Sequence, residues 1–381
     1  MSSKRRCIFH LPYAPDPIGR PSGTNVRPLK MLRGFREAGF DVLEVVGTSN
    51  ERRQAIRSVR ALVEAGERFD FVYSESETMP TLLTDPDHFP RHPFMDFNFF
   101  RFCRRMKIPV GLFLRDAHWM SEEYGRLRAG AKGMVSSALH WYDLRQYESA
   151  IDALFVPTTE FASLLGERLK TKPKIPLPSA VQQPLYESAL ARASSKTATT
   201  MKGSPLRLAY VGGISVGEAY DLSALLQAVA EVDGVNLSLC VRKADWERVK
   251  EHYEALIGPS VDVLHVQGRQ LKELLVSNDV GMLFYPNSQY RALAMPAKVF
   301  EYLEAGLPII ATKDTAAGGF VAANGCGWAL SFSRDELVHL LSSLRDDRER
   351  LITKGLHCLD VARNNTWVHR AEKVAEVLGA I

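Results

Sequence analysis

Met295-Pro-Ala-Lys-Val-Phe-Glu-Tyr-Leu-Glu-Ala-Gly-Leu-Pro-Ile-Ile-Ala311 is the stretch that decides how this chain is read. Pro296 suits the first position of a helix, where its missing N–H costs nothing. The amides of Ala297, Lys298 and Val299 are then left without carbonyl partners at the positive end of the helix dipole, a place that favours a phosphate. Lys298 adds a full cation beside them. Glu301 follows three residues later on the same face, where a carboxylate can accept hydrogen bonds from two vicinal hydroxyls of a ribose. Val299, Phe300 and Leu303 form the buried side, Gly306 ends the helix, and Pro308 opens a strand.

That helix–strand step belongs to an alternation that fills the second half. Strands are expected at Leu206–Val211, Val235–Val241, Val261–Val266, Val280–Tyr285, Pro308–Ala311 and Gly327–Phe332. Helices are expected at Asp221–Val232, Ala244–Leu256, Leu271–Ser277 and Ala297–Ala305. The first half has the same order, with strands at Arg6–Leu11, Val42–Gly47, Phe69–Ser74, Pro109–Leu114 and Ala153–Pro157. Between them lie amphipathic stretches Pro28–Ala38, Glu51–Glu67, Ser136–Ala150 and Glu160–Leu169. The strands are nearly continuous apolar runs, as expected of a parallel sheet covered by helices on both faces. Between the halves, residues 187–205 are poor in large apolar residues and rich in Ala, Ser and Thr, which reads as a linker. The expectation is an α/β protein with two doubly wound, Rossmann-like domains facing each other across a cleft, with ligand at strand C-terminal ends.

Composition supports this. A chain of 381 residues, 46% hydrophobic and 24% charged, suits two globular domains and excludes disorder and a fibrous chain. No window approaches the apolar length of a membrane span. The basic start (Lys4, Arg5, Arg6) is followed only by the short apolar run Cys7–Leu11, too short for a signal peptide. Five scattered cysteines without a CxxC pair argue against a disulfide framework or a zinc site and point to the reducing cytoplasm. Residues 1–185 hold 27 basic against 21 acidic side chains, and residues 186–381 hold 21 against 23. A basic half suggests an anionic partner, but acids are too interleaved with the bases for a nucleic-acid binder.

Pro296-Ala-Lys298-Val-Phe-Glu301-Tyr-Leu-Glu-Ala-Gly306-Leu-Pro308 resembles the nucleotide-sugar signature of GT-B glycosyltransferases of the group-1, family-4-like set. Leu208-Ala-Tyr-Val-Gly212-Gly213 resembles the start of that family's donor domain, and Asp152-Ala-Leu-Phe-Val-Pro-Thr158 and Leu177-Pro-Ser-Ala-Val181 resemble the last strands of its acceptor domain. Thr366-Trp367 resembles the opening of the family's final helix, which crosses back to the first domain. The resemblance implies an acceptor domain over residues 1–185, a linker over 186–205, a nucleotide-sugar domain over 206–362 and a returning helix over 363–381. It also implies that Glu301 binds the nucleotide ribose. Two departures stand out: the family's Glu-x7-Glu pair would need Glu at 293, where this chain has Leu293, and Ile214–Tyr220 carries none of the usual Arg and Lys. Lys298 is then the first candidate for charge against the diphosphate, with Arg242, after the second strand of this domain, as a weaker one.

Other candidates carry two readings each. Gly212-Gly213 lets a backbone approach a phosphate or sugar, or is a simple turn. Ser22-Gly23-Thr24-Asn25 resembles the family's first acceptor-domain loop, facing donor phosphate or acceptor, or it is an N-cap. In Arg115-Asp116-Ala-His118-Trp119, Asp116 or His118 is placed to take the acceptor hydroxyl proton. In-line attack assisted by Asp116 gives inversion; a His118 that only contacts the sugar leaves retention open; the alternative is an Arg115–Asp116 ion pair. Glu75 and Glu77 are reserve carboxylates. Phe94–Ile108 mixes five phenylalanines with Arg101, Arg104, Arg105 and Lys107 and reads either as an interfacial helix on an anionic leaflet or as a core helix with a basic edge. Arg52, Arg53, Arg57 and Arg60 pose the same choice. His10, His88, His92, His140 and Trp246 have no partners at metal spacing and read as structural.

The expected function is transfer of a sugar from a nucleotide-diphosphate donor to an acceptor hydroxyl, without a metal or other cofactor, the acceptor being a lipid-linked or cell-envelope glycan. The protein would be cytoplasmic, with peripheral contact to the inner membrane face. The alternatives are a nucleotide-sugar epimerase and a non-catalytic nucleotide-sugar-binding protein.

Overall fold

The computed structural model describes residues 5–16, 23–120, 130–182, 203–217 and 220–381. They form two compact units: Met1–Ser179 together with Trp367–Ile381, and Ala180–Thr366. The first unit thus gives way to the second at 179/180 rather than 185, and the chain returns to it at 367 rather than 363. Most of the expected linker lies outside the described residues.

Unit 1 is built on six parallel strands: β1 (Arg6–Leu11), β2 (Asp41–Val46), β3 (Phe71–Glu75), β4 (Val110–Phe113), β5 (Ala153–Val156) and β6 (Lys174–Pro176), in the order β2-β1-β3-β4-β5-β6. The inner strands are buried along their length, save Arg6 at the start of β1, because helices cover both faces. These helices are α1 (Gly23–Glu37), α2 (Ser49–Glu64), α3 (Met95–Arg105), α4 (Ala131–Ala150) and α5 (Thr159–Leu164). The start of α2 is written in Thr48-Ser-Asn-Glu51: the Glu51 carboxylate accepts from the Thr48 amide at 2.7 Å while Thr48 Oγ1 accepts from the Glu51 amide, closing a capping box.

Helix α1 starts five residues before the expected Pro28, so Gly23, Thr24 and Asn25 belong to its first turn and are not a loop. Ser22 lies outside the described residues. Pro28 inside the helix has no N–H for the carbonyl of Thr24, and the Tyr13 hydroxyl donates to that oxygen instead, at 2.6 Å. Asn25 Oδ1 accepts the amide of Asp16 at 3.0 Å, tying the first turn to the chain after β1.

Helix α3 settles the reading of Phe94–Ile108. Phe97, Phe99, Phe100 and Phe102 are core residues, at most 9% exposed, and Phe94 alone of the five is open, so the aromatic face packs inward rather than onto a leaflet. Two arginines of the basic edge have their own partners. Arg101 donates to Gln146 and Ser149, and Arg104 donates to the Ser149 carbonyl and to Asp152 Oδ1 at 2.8 Å; together they cover the C-terminal end of α4. Arg52, left open between an interfacial helix and the basic edge of a core helix, fits neither and is 2% exposed. It grips Asp96 through two bonds of 3.0 and 2.9 Å, and Asp96 faces His10 Nε2 at 3.0 Å. Burial alone would push the Asp96 carboxyl up, but Arg52 and His10 outweigh it and hold it well below the usual carboxylate range.

Unit 2 repeats the plan with β7 (Leu206–Gly212), β8 (Val235–Val241), β9 (Val261–Leu264), β10 (Val280–Leu283), β11 (Ile309–Thr312) and β12 (Gly327–Leu330), in the order β12-β11-β10-β7-β8-β9. Its helices are α6 (Ser223–Glu231), α7 (Lys243–Tyr253), α8 (Gly268–Ser277), α9 (Gln289–Leu293), α10 (Lys298–Glu304), α11 (Ala316–Asn324), α12 (Arg334–Asp346) and α13 (Glu349–Arg363). A final helix, α14 (Trp367–Gly379), packs on α1 and so completes unit 1. The strand order reverses between β1 and β3 in unit 1 and between β7 and β10 in unit 2. In open α/β sheets such reversals open a crevice outside the strand C-termini.

Candidate functional site

In unit 2 the crevice at the ends of β7 and β10 is organised by Tyr302 of α10. Its hydroxyl accepts the Val211 amide of β7 at 3.1 Å and donates to the Met282 carbonyl of β10 at 3.3 Å. Gly281 makes room for the ring: a Cβ there would stand 2.5 Å from it. α10 is thereby pinned to both strands at the switch point, next to Gly212 and Gly213. The Gly213 carbonyl accepts from the Tyr210 hydroxyl at 2.6 Å. Neither glycine has a positive φ. What they offer is clearance, since a Cβ on Gly213 would stand 3.4 Å from the Tyr220 ring.

On α10, Lys298 Nζ and Glu301 Oε2 form an ion pair at 2.6 Å, with both side chains about a quarter to a third exposed (27% and 29%). The charge of Lys298 is felt at the Cys240 thiol of β8, which burial otherwise pushes up. The turn before them differs from expectation. α10 begins at Lys298, and Pro296 stands before it with its carbonyl accepting the Val299 amide at 3.2 Å. Of the three amides expected to be open, Val299 is therefore engaged, and among the described residues Ala297 and Lys298 keep theirs without an acceptor. Gly306, at φ +67°, ends the helix as expected. Arg242 follows β8 and is largely exposed, paired with Asp245 at 2.6 Å; Arg248 shares the same carboxylate.

Sequence reasoning missed the most unusual group at this end of the sheet. Arg291 of α9 is 8% exposed, with its guanidinium carbon 4.0 Å from the Tyr220 ring centroid and 3.7 Å from that of Tyr285. Its Nε and Nη2 have no hydrogen-bond partner. Tyr285 follows β10 and is clamped by Thr312 Oγ1, which accepts its amide at 3.1 Å and donates to its carbonyl at 2.7 Å. The only trace of this in the sequence is Tyr220, which ends the Gly-Gly segment lacking its expected cations.

In unit 1, Glu75 ends β3 fully buried. Arg27 pairs with one carboxylate oxygen and Arg115 with the other at 3.0 Å, and the Tyr73 hydroxyl donates to it at 3.0 Å. A carboxylate so engaged is a structural anchor, which removes Glu75 from the reserve bases. Arg115 is tied to Glu75 and, through its amide, to Ser76 Oγ at 3.0 Å. Asp116 follows it half-buried beyond β4. His118 opens a single 3-10 turn, His118–Met120; its imidazole lies outside the described part of the structure. Glu77 Oε2 accepts the Met79 amide. His140 stacks on Trp119 with centroids 4.8 Å apart. Among the described residues no group of three His, Cys, Asp or Glu is arranged to hold a metal ion, no helix is long and apolar enough to cross a membrane, and all five cysteines are buried thiols.

No protein-family model matches the sequence, and no curated protein matches it. Solved structures do. Anabaena HepE (Alr3699), crystallised with UDP and glucose, is similar at 13% identity over 99% of this chain and 100% of that one, with a TM-score of 0.62. WaaG, a glycosyltransferase involved in lipopolysaccharide biosynthesis, is similar at 15% identity over 97% and 99%, with a TM-score of 0.57. Sucrose-phosphate synthase of Thermosynechococcus elongatus is similar at 12% identity over 98% of each chain, with a TM-score of 0.61. With its two six-stranded parallel sheets, the chain has the GT-B fold that these structures share.

Proposed function

We propose that the chain is a glycosyltransferase that holds a nucleoside-diphosphate sugar on unit 2 and passes the sugar to an acceptor hydroxyl. The observation that carries the reading is the Lys298–Glu301 pair, held by Tyr302 at the β7/β10 switch point beside Gly212 and Gly213. The likeness in fold to HepE crystallised with UDP and glucose supports it. Glu301 accepts from the two ribose hydroxyls. Lys298, with the open amides of Ala297 and Lys298, faces the diphosphate, and Pro296 shapes that turn; Arg242 stands at the outer edge of the same strand ends. The acceptor oxygen attacks the anomeric carbon, the bond from that carbon to the phosphate oxygen breaks, and its electron pair leaves with the diphosphate. Asp116 of unit 1 takes the acceptor proton, His118 is the alternative base, and the first turn of α1 (Gly23, Thr24, Asn25) borders the acceptor. In this scheme the leaving charge meets Lys298 and backbone amides, so transfer is metal-independent. The basic excess of the first half favours an anionic acceptor, such as a lipid-linked or cell-envelope glycan at a membrane surface.

The test is incubation with UDP-, GDP- and dTDP-sugars, following release of nucleoside diphosphate, with binding measured in parallel. Slow release that Asp116→Asn and Lys298→Ala both abolish is expected. Glu301→Ala should cost about 3 kcal/mol of nucleoside diphosphate binding, more than a hundredfold, through lost charge-assisted hydrogen bonds. Its fold stability should move by less than about 1 kcal/mol, since a part-exposed ion pair contributes little. Unchanged nucleotide affinity in Glu301→Ala would refute the ribose assignment. Epimerisation of the sugar without release, or binding without turnover in the presence of extracted lipid acceptors, would replace transfer by another activity.

A further inference from the structure

We propose that Arg291 is a second cation, beside Lys298, that receives the diphosphate of the donor. The inference rests on the reading of unit 2 as the donor site and names a group that no sequence motif marks. A buried guanidinium normally has a carboxylate or a full set of carbonyl acceptors, because a desolvated charge without them is strongly unfavourable. Arg291 is 8% exposed, its Nε and Nη2 have no partner, and no ion pair with it exists among the described residues. The faces of Tyr220 and Tyr285 lie against it, and cation–π contact returns only a fraction of what desolvation costs. An orphaned buried donor pair of this kind asks for an external acceptor.

Position and charge say which acceptor. Tyr285 follows β10 and Tyr220 lies against Gly213 after β7, so Arg291 is held at the switch point where α10 is pinned. Lys298 already neutralises Glu301 there. A ligand bringing the two or more negative charges of a diphosphate needs a second cation, and Arg291, unlike Lys298 and Arg242, has no carboxylate partner among the described residues. The two halves of its clamp differ: Tyr285 is 4% exposed and fixed by Thr312, whereas Tyr220 is 41% exposed and forms the solvent side of the clamp. A planar guanidinium then presents Nε and Nη2 as a fork to phosphate oxygens. Ser288, whose Oγ accepts the Arg291 amide at 3.3 Å, fixes the start of the short helix that carries it.

The experiment is calorimetric titration of the full-length protein with UDP, GDP, dTDP and ADP, then of Arg291→Gln and Arg291→Lys with the diphosphate that binds and with its monophosphate. Arg291→Gln should weaken the diphosphate about tenfold or more and the monophosphate by less than about threefold, the size expected for lost charge-assisted bonds. Arg291→Lys, which keeps charge and packing bulk but not the fork, should fall between, and it decides the matter if the Gln variant melts early. Equal weakening of both ligands by the two variants would make Arg291 a structural residue and overturn the proposal, as would unchanged diphosphate affinity; in either case the donor-site reading stands. A wild-type protein that binds none of the four would overturn both.

Discussion

Asp143 is a carboxyl folded into a place that favours its neutral form. It is 5% exposed on α4, and its Oδ2 accepts the Thr81 amide at 2.7 Å. Burial pushes its pKa up to about 7 against the pull of the Thr81 hydrogen bonds. In the unfolded chain an Asp titrates near 3.9. Between those values the folded protein holds a proton that the unfolded chain has released, so stability is full below about pH 4 and is lost as pH rises through about 7, at up to about 1.4 kcal/mol per pH unit. Asp143→Asn cannot take up that proton and still offers an oxygen to Thr81. Urea titrations from pH 4.5 to 7 should show the wild type losing stability relative to the variant as pH rises; parallel slopes would mean that the carboxylate is ionised throughout. No residue pattern announces such a site, because burial by α4 and the Thr81 turn comes from the fold. The same holds for Arg291: Ser-Gln-Tyr-Arg-Ala-Leu is ordinary polar text until β7 and β10 bring Tyr220 and Tyr285 to its two faces. Lys298 and Glu301 were legible because their spacing puts both on one face of one short helix, a local property.

At the scale of elements, strands buried on both faces declare themselves, since Cys7–Leu11, Val280–Leu283 and Ile309–Ala311 have no reason to be so apolar otherwise. β6 lies at Lys174–Pro176, just before the Leu177–Val181 segment that the family resemblance offered as a last strand, because an edge strand of three residues has neither the length nor the composition to mark its own place. α5 stops at Leu164, short of the expected Leu169. α3 was ambiguous for a physical reason: phenylalanines and arginines at helical spacing describe a face but not what covers it, and here β4 and α4 do. The start of α1 was misjudged because Pro28 reads as a first-turn proline, while the actual helix tolerates it further in. That tolerance depends on Tyr13, whose hydroxyl serves the Thr24 carbonyl that Pro28 cannot. Tyr13→Phe keeps the packing and removes the donor, so it should destabilise unit 1 by about 1–2 kcal/mol, the cost of a part-buried acceptor left unmet. Amide exchange should rise across Gly23–Arg27 before it rises elsewhere in α1. A denaturation midpoint equal to wild type would show that water replaces the phenol without loss.

Over the whole molecule the chain passes between its two units twice, and the two passages run side by side. Val181 donates to the Asn365 carbonyl at 2.8 Å, and Val181 and Thr366 form a lone parallel bridge inside unit 2. Beyond it, α14 is built into unit 1 as firmly as any of that unit's own helices. Arg370 donates to the carbonyls of Pro178 and Ser179, Lys373 to that of Pro176 at 3.0 Å, and Glu372 pairs with Arg5 at 2.9 Å. Gly34 is where α1 and Trp367 come closest: a Cβ there would stand 2.6 Å from the Trp367 carbonyl oxygen. Two effects of Gly34→Ala oppose each other. Alanine favours an interior helical position by about 1 kcal/mol, while forcing two packed backbones apart costs about 1–3 kcal/mol and would also loosen every contact that α14 makes further along. The clash is with backbone, which cannot rotate away, so the second effect should win and the variant should be less stable than wild type. Hydrogen exchange should speed up through Trp367–Gly379 and the facing side of α1, while α10 in unit 2 keeps its wild-type protection. A net gain in stability would mean that α14 rides on unit 1 loosely enough to shift aside, and that the returning helix is an attachment to the first unit rather than part of its core.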